Sequence, residues 1–293
     1  MPAAVQPLSS DRFTAEGNCG KLVGRIWRPS RDTDELAGHV MFVHGLADHC
    51  GRYEELTARL GSIGLATIAI DLHGHGESAG RRAYVQEFDD YLTDVDVLCE
   101  QADREFAGTP RFLMGHSMGA TVTALWVIKN RPQLAGLILS SGAFSRGADI
   151  SPILAKLSHI IVAVAPRLAT VKINPELITR DIGRATAYRE DPLVDHDGIR
   201  AQTGAQLLKA IDRLMLQADT IDVPTLMFHG TADQITNPAG TQLLFERLGC
   251  QDKTLKLYEG LFHETLNELE RDQVYDDLLT WVMAHLPTAE TER

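Results

Sequence analysis

A serine between two glycines is the first residue whose surroundings predict chemistry. Ser117 lies in Gly-His-Ser-Met-Gly, which follows a short apolar run and precedes an apolar stretch of helical length. Serine and glycine are also common in tight turns, so the motif alone leaves a structural role open. The alternative is a nucleophile elbow, a strained strand-to-helix turn that exposes one hydroxyl. A serine used in this way needs a base and an acid from elsewhere in the chain.

The candidates for the base are the histidines that follow Ser117. They are His159, His196, His229, His263 and His285. The first two lie in a long segment without a strand pattern, and the last ends the final predicted helix, where a cation complements the helix dipole. His263 follows the last predicted strand, on a loop expected to reach the same sheet edge as Ser117. We therefore take His263 as the base.

The acid is expected between the serine and the histidine in chain order. Asp233 comes three residues after Gly230, which ends the penultimate predicted strand. The other aspartates in this part of the chain lie in the long segment or precede a strand. Asp233 is therefore the predicted acid.

An oxyanion intermediate needs backbone N–H donors near the nucleophile. Met118, directly after the serine, and Leu46, in the loop after the strand of "HVMFVHG", are the expected donors. His44-Gly45 could also be only a turn, and that turn would still bring the N–H of Leu46 close to the elbow.

Three potential metal ligands, Asp71, His73 and His75, are clustered in "DLHGHGES". They do not complete the HxHxDH pattern of many metallohydrolases, and a serine triad needs no metal. A structured turn is the preferred interpretation, and we expect neither a metal site nor a cofactor.

The composition limits the class of protein. The chain has 293 residues and a net charge of −12, which argues against nucleic acid as a partner. Its four cysteines are scattered without a CxxC pair. The first residues lack the pattern of a signal peptide, and no apolar run is long enough to span a membrane. We expect a soluble, cytoplasmic protein.

Strand and helix patterns alternate along most of the chain. A β-hairpin is predicted over 11–28, buried strands over 39–45, 64–76, 135–141, 223–230 and 253–260, and helices over 52–62, 87–106 and 271–286. This alternation predicts an α/β fold with a mostly parallel sheet covered by helices.

The alternation stops between the strands at 135–141 and 223–230, where no convincing strand is found. We interpret 143–212 as a helical cap, or lid, inserted into a core domain formed by 1–142 and 213–293. Within it, "SPILAKLSHIIVAVAP" (151–166) has an apolar stripe at helical spacing. Core packing explains such a stripe, but apolar residues on its other side suggest weak peripheral contact with lipid interfaces.

The assembled motifs resemble those of the monoglyceride lipase family of α/β-hydrolases. The matching segments are "FVHGLADHCGRYEELTARL", "IDLHGHGES", "GHSMGA", "DPLVDHDGIRAQTGAQLL", "HGTADQITNPAG" and "QDKTLKLYEGLFHE". The resemblance implies the α/β-hydrolase fold, Ser117, Asp233 and His263 as a catalytic triad, and Leu46 and Met118 as oxyanion donors. It also implies a glycerol cavity formed by Arg52, His116 and Tyr188. From the residues alone, Arg52 could pair with a nearby glutamate and Tyr188 could simply pack.

The chain departs from the family pattern in the loop after the strand at 39–45. Ala47 stands where the family commonly has glycine, which makes the backbone angles there uncertain. Asp48 replaces a longer glutamate, which puts polar contacts from that position in question.

The expected activity is hydrolysis of monoacylglycerols to fatty acid and glycerol through an acyl-enzyme. The alternatives are a broader carboxylesterase or lysophospholipase, and a non-catalytic lipid receptor on the same fold. A fluorophosphonate label on Ser117 and a panel of lipid esters would separate them.

Overall fold

The computed structural model describes residues 7–29, 36–146 and 163–287. In these residues the strands are β1 (Ser10–Gly17), β2 (Gly20–Trp27), β3 (Gly38–Val43), β4 (Leu65–Asp71), β5 (Arg111–His116), β6 (Gly136–Ser140), β7 (Ala169–Val171), β8 (Ile199–Arg200), β9 (Thr225–Gly230) and β10 (Lys253–Tyr258). The helices are α1 (Glu54–Ser62), α2 (Asp89–Glu105), α3 (Met118–Asn130), α4 (Ile182–Glu190), α5 (Ala201–Gln217), α6 (Pro238–Arg247) and α7 (Arg271–Ala284).

Eight strands form one sheet, in the order β1-β2-β4-β3-β5-β6-β9-β10. β1 pairs antiparallel with β2, and β2 pairs antiparallel with β4. All other neighbours in this sheet run parallel. The predicted hairpin and the predicted parallel strands are therefore confirmed.

The central strands β3, β4, β5, β6 and β9 are buried on both faces, which explains why they are mostly apolar. In β3, Met41 and Val43 pack on one side, whereas Val40 and Phe42 pack on the other. The first side is covered by apolar residues of α2, α3 and α5. The second side is covered by α1 and α7. The result is a three-layer α/β arrangement.

The register of the parallel strands brings their C-terminal ends to one edge. Val43 of β3 pairs with Gly115 of β5, and His116 pairs with Ser140 of β6. Farther along the sheet, Tyr258 of β10 pairs with Gly230 of β9. The loops that follow β3, β5, β9 and β10 therefore begin side by side, at the edge where open α/β sheets bind ligands.

The segment between β6 and β9 contains two short strands, whereas the sequence predicts none there. β7 and β8 form a small antiparallel sheet there, so that expectation was wrong. These strands have three and two residues, and β7 is exposed along its whole length, so they carry no alternating apolar pattern. The amphipathic stripe at 151–162 lies outside the described residues, whereas 163–166 lie within them.

Contacts fix the described part of this segment to the loops at the C-terminal edge of the sheet. The N–H of Asp195 donates to the carbonyl of Ala47 at 3.0 Å. Asp191 lies 2.9 Å from Nε2 of His49. The predicted boundary at 212/213 falls inside α5, a continuous helix whose second half, with Ala210 and Leu214, packs in the main core.

Candidate active site

Ser117 occupies a strained turn between β5 and α3. Its φ of 54° and ψ of −121° lie in a region that non-glycine residues rarely adopt. The surrounding backbone holds this conformation, because the N–H of Ser117 donates to the carbonyl of Ser140 at 2.9 Å. Its own carbonyl accepts from the N–H groups of Ala120 and Ala143. This is the backbone geometry expected of a nucleophile elbow.

The two glycines that flank the elbow are required by close backbone approach. A Cβ on Gly115 would lie 2.3 Å from the carbonyl oxygen of Gly119. A Cβ on Gly119 would lie 2.3 Å from the carbonyl oxygen of Val43 and 2.4 Å from that of His44. Gly115 therefore allows the first turn of α3 to lie close to β5, and Gly119 allows the same turn to pack against the end of β3.

The loop after β3 passes beside Ser117, and a Cβ on Gly45 would lie 3.1 Å from the Cβ of Ser117. The N–H of Leu46 has no acceptor among the described residues. Met118 is the first residue of α3, so its N–H has no intrahelical partner. Ala47 adopts a φ of 64°, so it keeps the left-handed conformation that glycine would adopt more easily.

Asp233 and His263 meet at the ends of β9 and β10. Nδ1 of His263 lies 2.7 Å from Oδ2 of Asp233. Gly230 allows the two loops to come together, because a Cβ there would lie 2.2 Å from the carbonyl oxygen of Leu261. The other carboxylate oxygen of Asp233 accepts the backbone N–H groups of Ile235 and Thr236.

His229 belongs to this cluster, although no role was predicted for it. Its Nε2 lies 2.9 Å from Oδ2 of Asp233, and its Nδ1 lies 2.6 Å from Oγ1 of Thr241. Burial opposes ionisation of Asp233, but the charge of His263 and hydrogen bonds from both histidines outweigh it and lower the pKa of this carboxyl. The sequence signal for this contact is that His229 lies at the end of the predicted strand and only four residues before Asp233.

A buried ion cluster lies behind the loop after β3. Arg52 donates to Oδ1 of Asp48 at 2.9 Å and to both carboxylate oxygens of Glu264, at 2.8 and 2.9 Å. The hydroxyl of Tyr53 donates to the other oxygen of Asp48. Both carboxylate oxygens of Asp48 therefore accept hydrogen bonds, although its side chain is shorter than that of glutamate. Glu264 was not predicted, and its position next to His263 was the only signal in the sequence.

The carboxylates of this cluster stay charged because of Arg52. Burial favours the protonated form of Asp48, but the guanidinium, His44 and the Tyr53 hydroxyl overcome this effect and lower its pKa. Burial opposes ionisation of Glu264 too, and Arg52 again outweighs it and lowers the pKa. Removing one member would leave an uncompensated buried charge, which usually costs about 3–5 kcal/mol.

One pocket at this edge is lined by both Ser117 and His263. Its polar lining residues include His116, Tyr188, Asp48 and Glu264, and its apolar lining residues include Leu46, Ile173, Ile178 and Ile235. The ring of Tyr188 belongs to the same apolar cluster as these three isoleucines. Arg52 is not among the lining residues. Its guanidinium lies 4.5 Å from the ring centre of Tyr188, and it pairs with Asp48 and Glu264 rather than with Glu54 or Glu55.

His116 lies beside the predicted base. Its ring centre is 4.9 Å from that of His263, and its Nδ1 lies 3.1 Å from Oγ of Ser140. Burial, together with the charge of His263, lowers the pKa of His116 to about 4. His116 is therefore neutral near pH 7 and adds no positive charge next to His263.

The segment "DLHGHGES" forms a structured turn. The carboxylate of Asp71 accepts the backbone N–H groups of Cys50 and Glu77, at 2.8 Å each. Nδ1 of His75 faces the carbonyl of His73. Among the described residues, Asp71, His73 and His75 do not bring three ligand atoms together.

An eight-stranded, mostly parallel sheet with a serine elbow and an Asp-His pair at its C-terminal edge defines a serine hydrolase of the α/β-hydrolase class. The family model "Serine aminopeptidase, S33" matches residues 34–270. Curated relatives include a monoacylglycerol lipase of Mycolicibacterium smegmatis, 31% identical over 91% of this chain and 94% of its own. A monoglyceride lipase of Homo sapiens is 33% identical over 92% of this chain and 89% of its own.

The chain is also similar in fold to a solved monoacylglycerol lipase structure. The monoacylglycerol lipase of Paleococcus ferrophilus is 28% identical, with a TM-score of 0.77 over 95% of this chain and all of that one. The chain belongs to the monoglyceride lipase family of α/β-hydrolases. In the described part of the chain, no helix has the length and apolar character needed to cross a membrane.

The contact between α3 and β3 predicts opposite effects of alanine at two helical glycines. Gly119→Ala should lower the free energy of unfolding by about 1–3 kcal/mol, because the new Cβ meets two backbone carbonyls that side-chain motion cannot relieve. Esterase activity should fall as well, because the loop after β3 carries Leu46 and α3 begins with Met118. Urea unfolding and hydrolysis of a nitrophenyl ester measure the two effects.

Gly204 in α5 is the matched control. A Cβ there would have only an ordinary contact, at 3.6 Å from Ile199. Gly204→Ala should therefore raise stability by up to about 1 kcal/mol through helix propensity. Equal effects at the two positions would contradict the role given to the Gly119 contact.

Proposed function

We propose that the protein hydrolyses monoacylglycerols to a fatty acid and glycerol through an acyl-enzyme. The observation that carries this proposal is a pocket lined by both Ser117 and His263, with the carboxylate of buried Asp233 2.7 Å from Nδ1 of the histidine. The relatives whose names give this activity align with more than nine-tenths of the chain, which supports the same substrate class.

In the proposed mechanism, Ser117 attacks the ester carbonyl while Nε2 of His263 accepts its proton. Asp233 holds the ring through Nδ1 and stabilises the imidazolium that forms. His263 then returns the proton to the glycerol oxygen as the acyl-enzyme forms. A water molecule, activated by the same histidine, attacks the acyl-enzyme and releases the fatty acid.

The oxyanion of each tetrahedral intermediate would be bound by the N–H groups of Leu46 and Met118. Both groups belong to backbone that is held rigidly, since Gly115 and Gly119 allow α3 to pack against β3. Donors fixed before the reaction cost no reorganisation when charge develops on the oxygen.

The pocket has polar and apolar lining residues that suit the two ends of the substrate. We propose that His116 and the hydroxyl of Tyr188 face the glycerol group. Ile173, Ile178 and Ile235, which pack with the ring of Tyr188, would face the acyl chain. We propose that Arg52 acts one layer behind, by holding Asp48, Glu264 and the ring of Tyr188 in place. This differs from the direct glycerol contact that the resemblance implies for Arg52.

We propose that 143–212 acts as a cap over this pocket, on a core formed by 1–142 and 213–293. The bonds from Asp195 to Ala47 and from Asp191 to His49 support this, because they join the cap to the loop that carries Leu46. Ile173, Ile178 and Tyr188 come from the same segment, so movement of the cap would change the pocket wall.

We also propose weak peripheral contact between the cap and aggregates of the lipid substrate. Large apolar side chains are exposed between 164 and 182; they are Val164, Leu168, Val171 and Ile182. Each would contribute about 1.5–3 kcal/mol if fully buried at a lipid interface. The net charge of −12 gives no general attraction to anionic lipids, so we expect the contact to be reversible.

Ser117→Ala and His263→Ala should each abolish turnover of monoacylglycerol while leaving the thermal unfolding curve nearly unchanged. A fluorophosphonate probe should label the wild-type protein at Ser117 and should not label Ser117→Ala. His285→Ala is the matched control, because His285 pairs with Asp252 just before β10, at the opposite edge of the sheet. An inactive but folded His285→Ala variant would refute the assignment of the base.

Tyr188→Phe should lower kcat/KM for monoacylglycerol by about 2- to 12-fold, the usual contribution of one hydrogen bond. Hydrolysis of a nitrophenyl ester should change little, because that substrate has no glycerol group. Tyr84→Phe is the control, since the hydroxyl of Tyr84 donates to Gln86 and does not line the pocket. An equal loss of kcat/KM on both esters would show that Tyr188 maintains the structure of the site and does not bind glycerol.

Leu168→Asp combined with Val171→Asp should lower activity on micellar monoacylglycerol and spare a soluble ester. Leu216→Asp is the control, because Leu216 is 81% exposed but lies near the end of α5, toward the N-terminal edge of the sheet. Unchanged activity of the double variant on micelles, with an unchanged melting temperature, would exclude this docking surface.

A further inference from the structure

Three potential metal ligands from distant parts of the sequence lie close together, and none of them is a residue of the proposed catalytic site. They are Cys19 in the β1–β2 turn, His73 in the loop after β4, and Asp90 in the first turn of α2. Their ligand atoms all lie within 4.8 Å of one another. Cys, His and Asp are the side chains that bind Zn²⁺ in proteins. Among the described residues, no other group of three or more His, Cys, Asp or Glu side chains has its ligand atoms arranged so that they could hold one metal ion.

The orientation of His73 suits metal binding. Oδ2 of Asp94 accepts the backbone N–H of His73 at 2.8 Å and lies 3.1 Å from its Nδ1. A proton on Nδ1 that is donated to this carboxylate leaves the lone pair on Nε2 free for a metal. A carboxylate behind the far nitrogen is the usual support of a zinc-binding histidine.

The cluster also has negative charge and polar atoms without partners. Oδ1 of Asp94 and the hydroxyl of Tyr91 are buried and have no hydrogen-bond partner among the described residues. The ring of Tyr91 lies 5.0 Å from that of His73. Asp90 and Asp94 are one helical turn apart, and within the described residues neither pairs with a lysine or arginine. A divalent cation would offset this repulsion.

The surrounding backbone already holds the three segments together. The N–H of Ala79 donates to the carbonyl of Lys21, which ties the β1–β2 hairpin to the loop after β4. Cys19 itself is exposed at the tip of the two-residue turn. Tetrahedral zinc ligands lie about 3.3–3.8 Å apart, so a change of about 1 Å in these separations would complete the geometry.

We propose that Cys19, His73 and Asp90 form a site for one Zn²⁺ ion that joins the β1–β2 hairpin to the N-terminal turn of α2. Three protein ligands leave a fourth position for water. The site does not include Ser117, Asp233 or His263, and the ion would join the two elements whose residues bind it. It departs from the expectation of no metal, because that expectation weighed His73 with Asp71 and His75 and not with residues distant in sequence.

Titration of the metal-free full-length protein with ZnCl₂, followed by calorimetry, tests the site. We expect one saturable Zn²⁺ per chain and a melting temperature that rises with its concentration. Cys19→Ser and Asp90→Asn should each weaken binding at least about tenfold, in line with the loss of a metal-site residue. Asp89→Asn should leave the affinity unchanged, because Asp89 is the neighbouring residue and pairs with Arg213.

Replacement of Zn²⁺ by Co²⁺ provides a spectroscopic test of the ligands. A thiolate-to-cobalt charge-transfer band should be present in the wild type and in Cys99→Ser, and absent in Cys19→Ser. Esterase activity of the variants should stay at the wild-type level, which shows that they are folded. No saturable Zn²⁺ binding by the wild type, or equal affinity in Cys19→Ser, Asp90→Asn and Asp89→Asn, would overturn the proposal.

Discussion

The close contact between the first turn of α3 and the end of β3 is the constraint on which the site depends. Gly119 permits it, because a side chain there would overlap the backbone carbonyls of Val43 and His44. Gly115 permits the matching approach of α3 to β5, because a side chain there would overlap the carbonyl of Gly119. The contact places the elbow at Ser117 beside Gly45, in the loop that carries Leu46. Hydrogen bonds to Ser140 of β6 and from Ala143 in the loop after it hold the strained backbone of Ser117 in place.

The second support of the site is electrostatic. Arg52 lies between Asp48 and Glu264, so the loop after β3 and the loop after β10 are joined by one buried guanidinium. Such a cluster adds little net stability but penalises any arrangement in which a member loses its partner. It therefore favours a single relative position of the loops that carry Leu46 and His263. Its neighbour Tyr188 connects the same cluster to α4, in the segment between β6 and β9.

The hydrogen-bond network of Asp233 follows the same principle. The carboxylate accepts from two histidines and from two backbone N–H groups, which leaves it no freedom to rotate. A fixed acceptor orients the ring of His263 and sets which nitrogen carries the proton. His229 and Thr241 extend this support into α6, away from solvent.

The sequence by itself determined the sheet, the order of its parallel strands along the chain, and the residues at their C-terminal ends. Local signals suffice for these features, because buried strands are apolar runs and Gly-x-Ser-x-Gly has a distinctive turn geometry. Only the tertiary structure decided the partners of Arg52, the place of Glu264 and His229, and the strands β7 and β8. It also decided that Ala47 keeps a left-handed conformation and that Cys19 lies near His73 and Asp90. Contacts between residues distant in the chain depend on how loops pack, and a single sequence has no local signal for such packing.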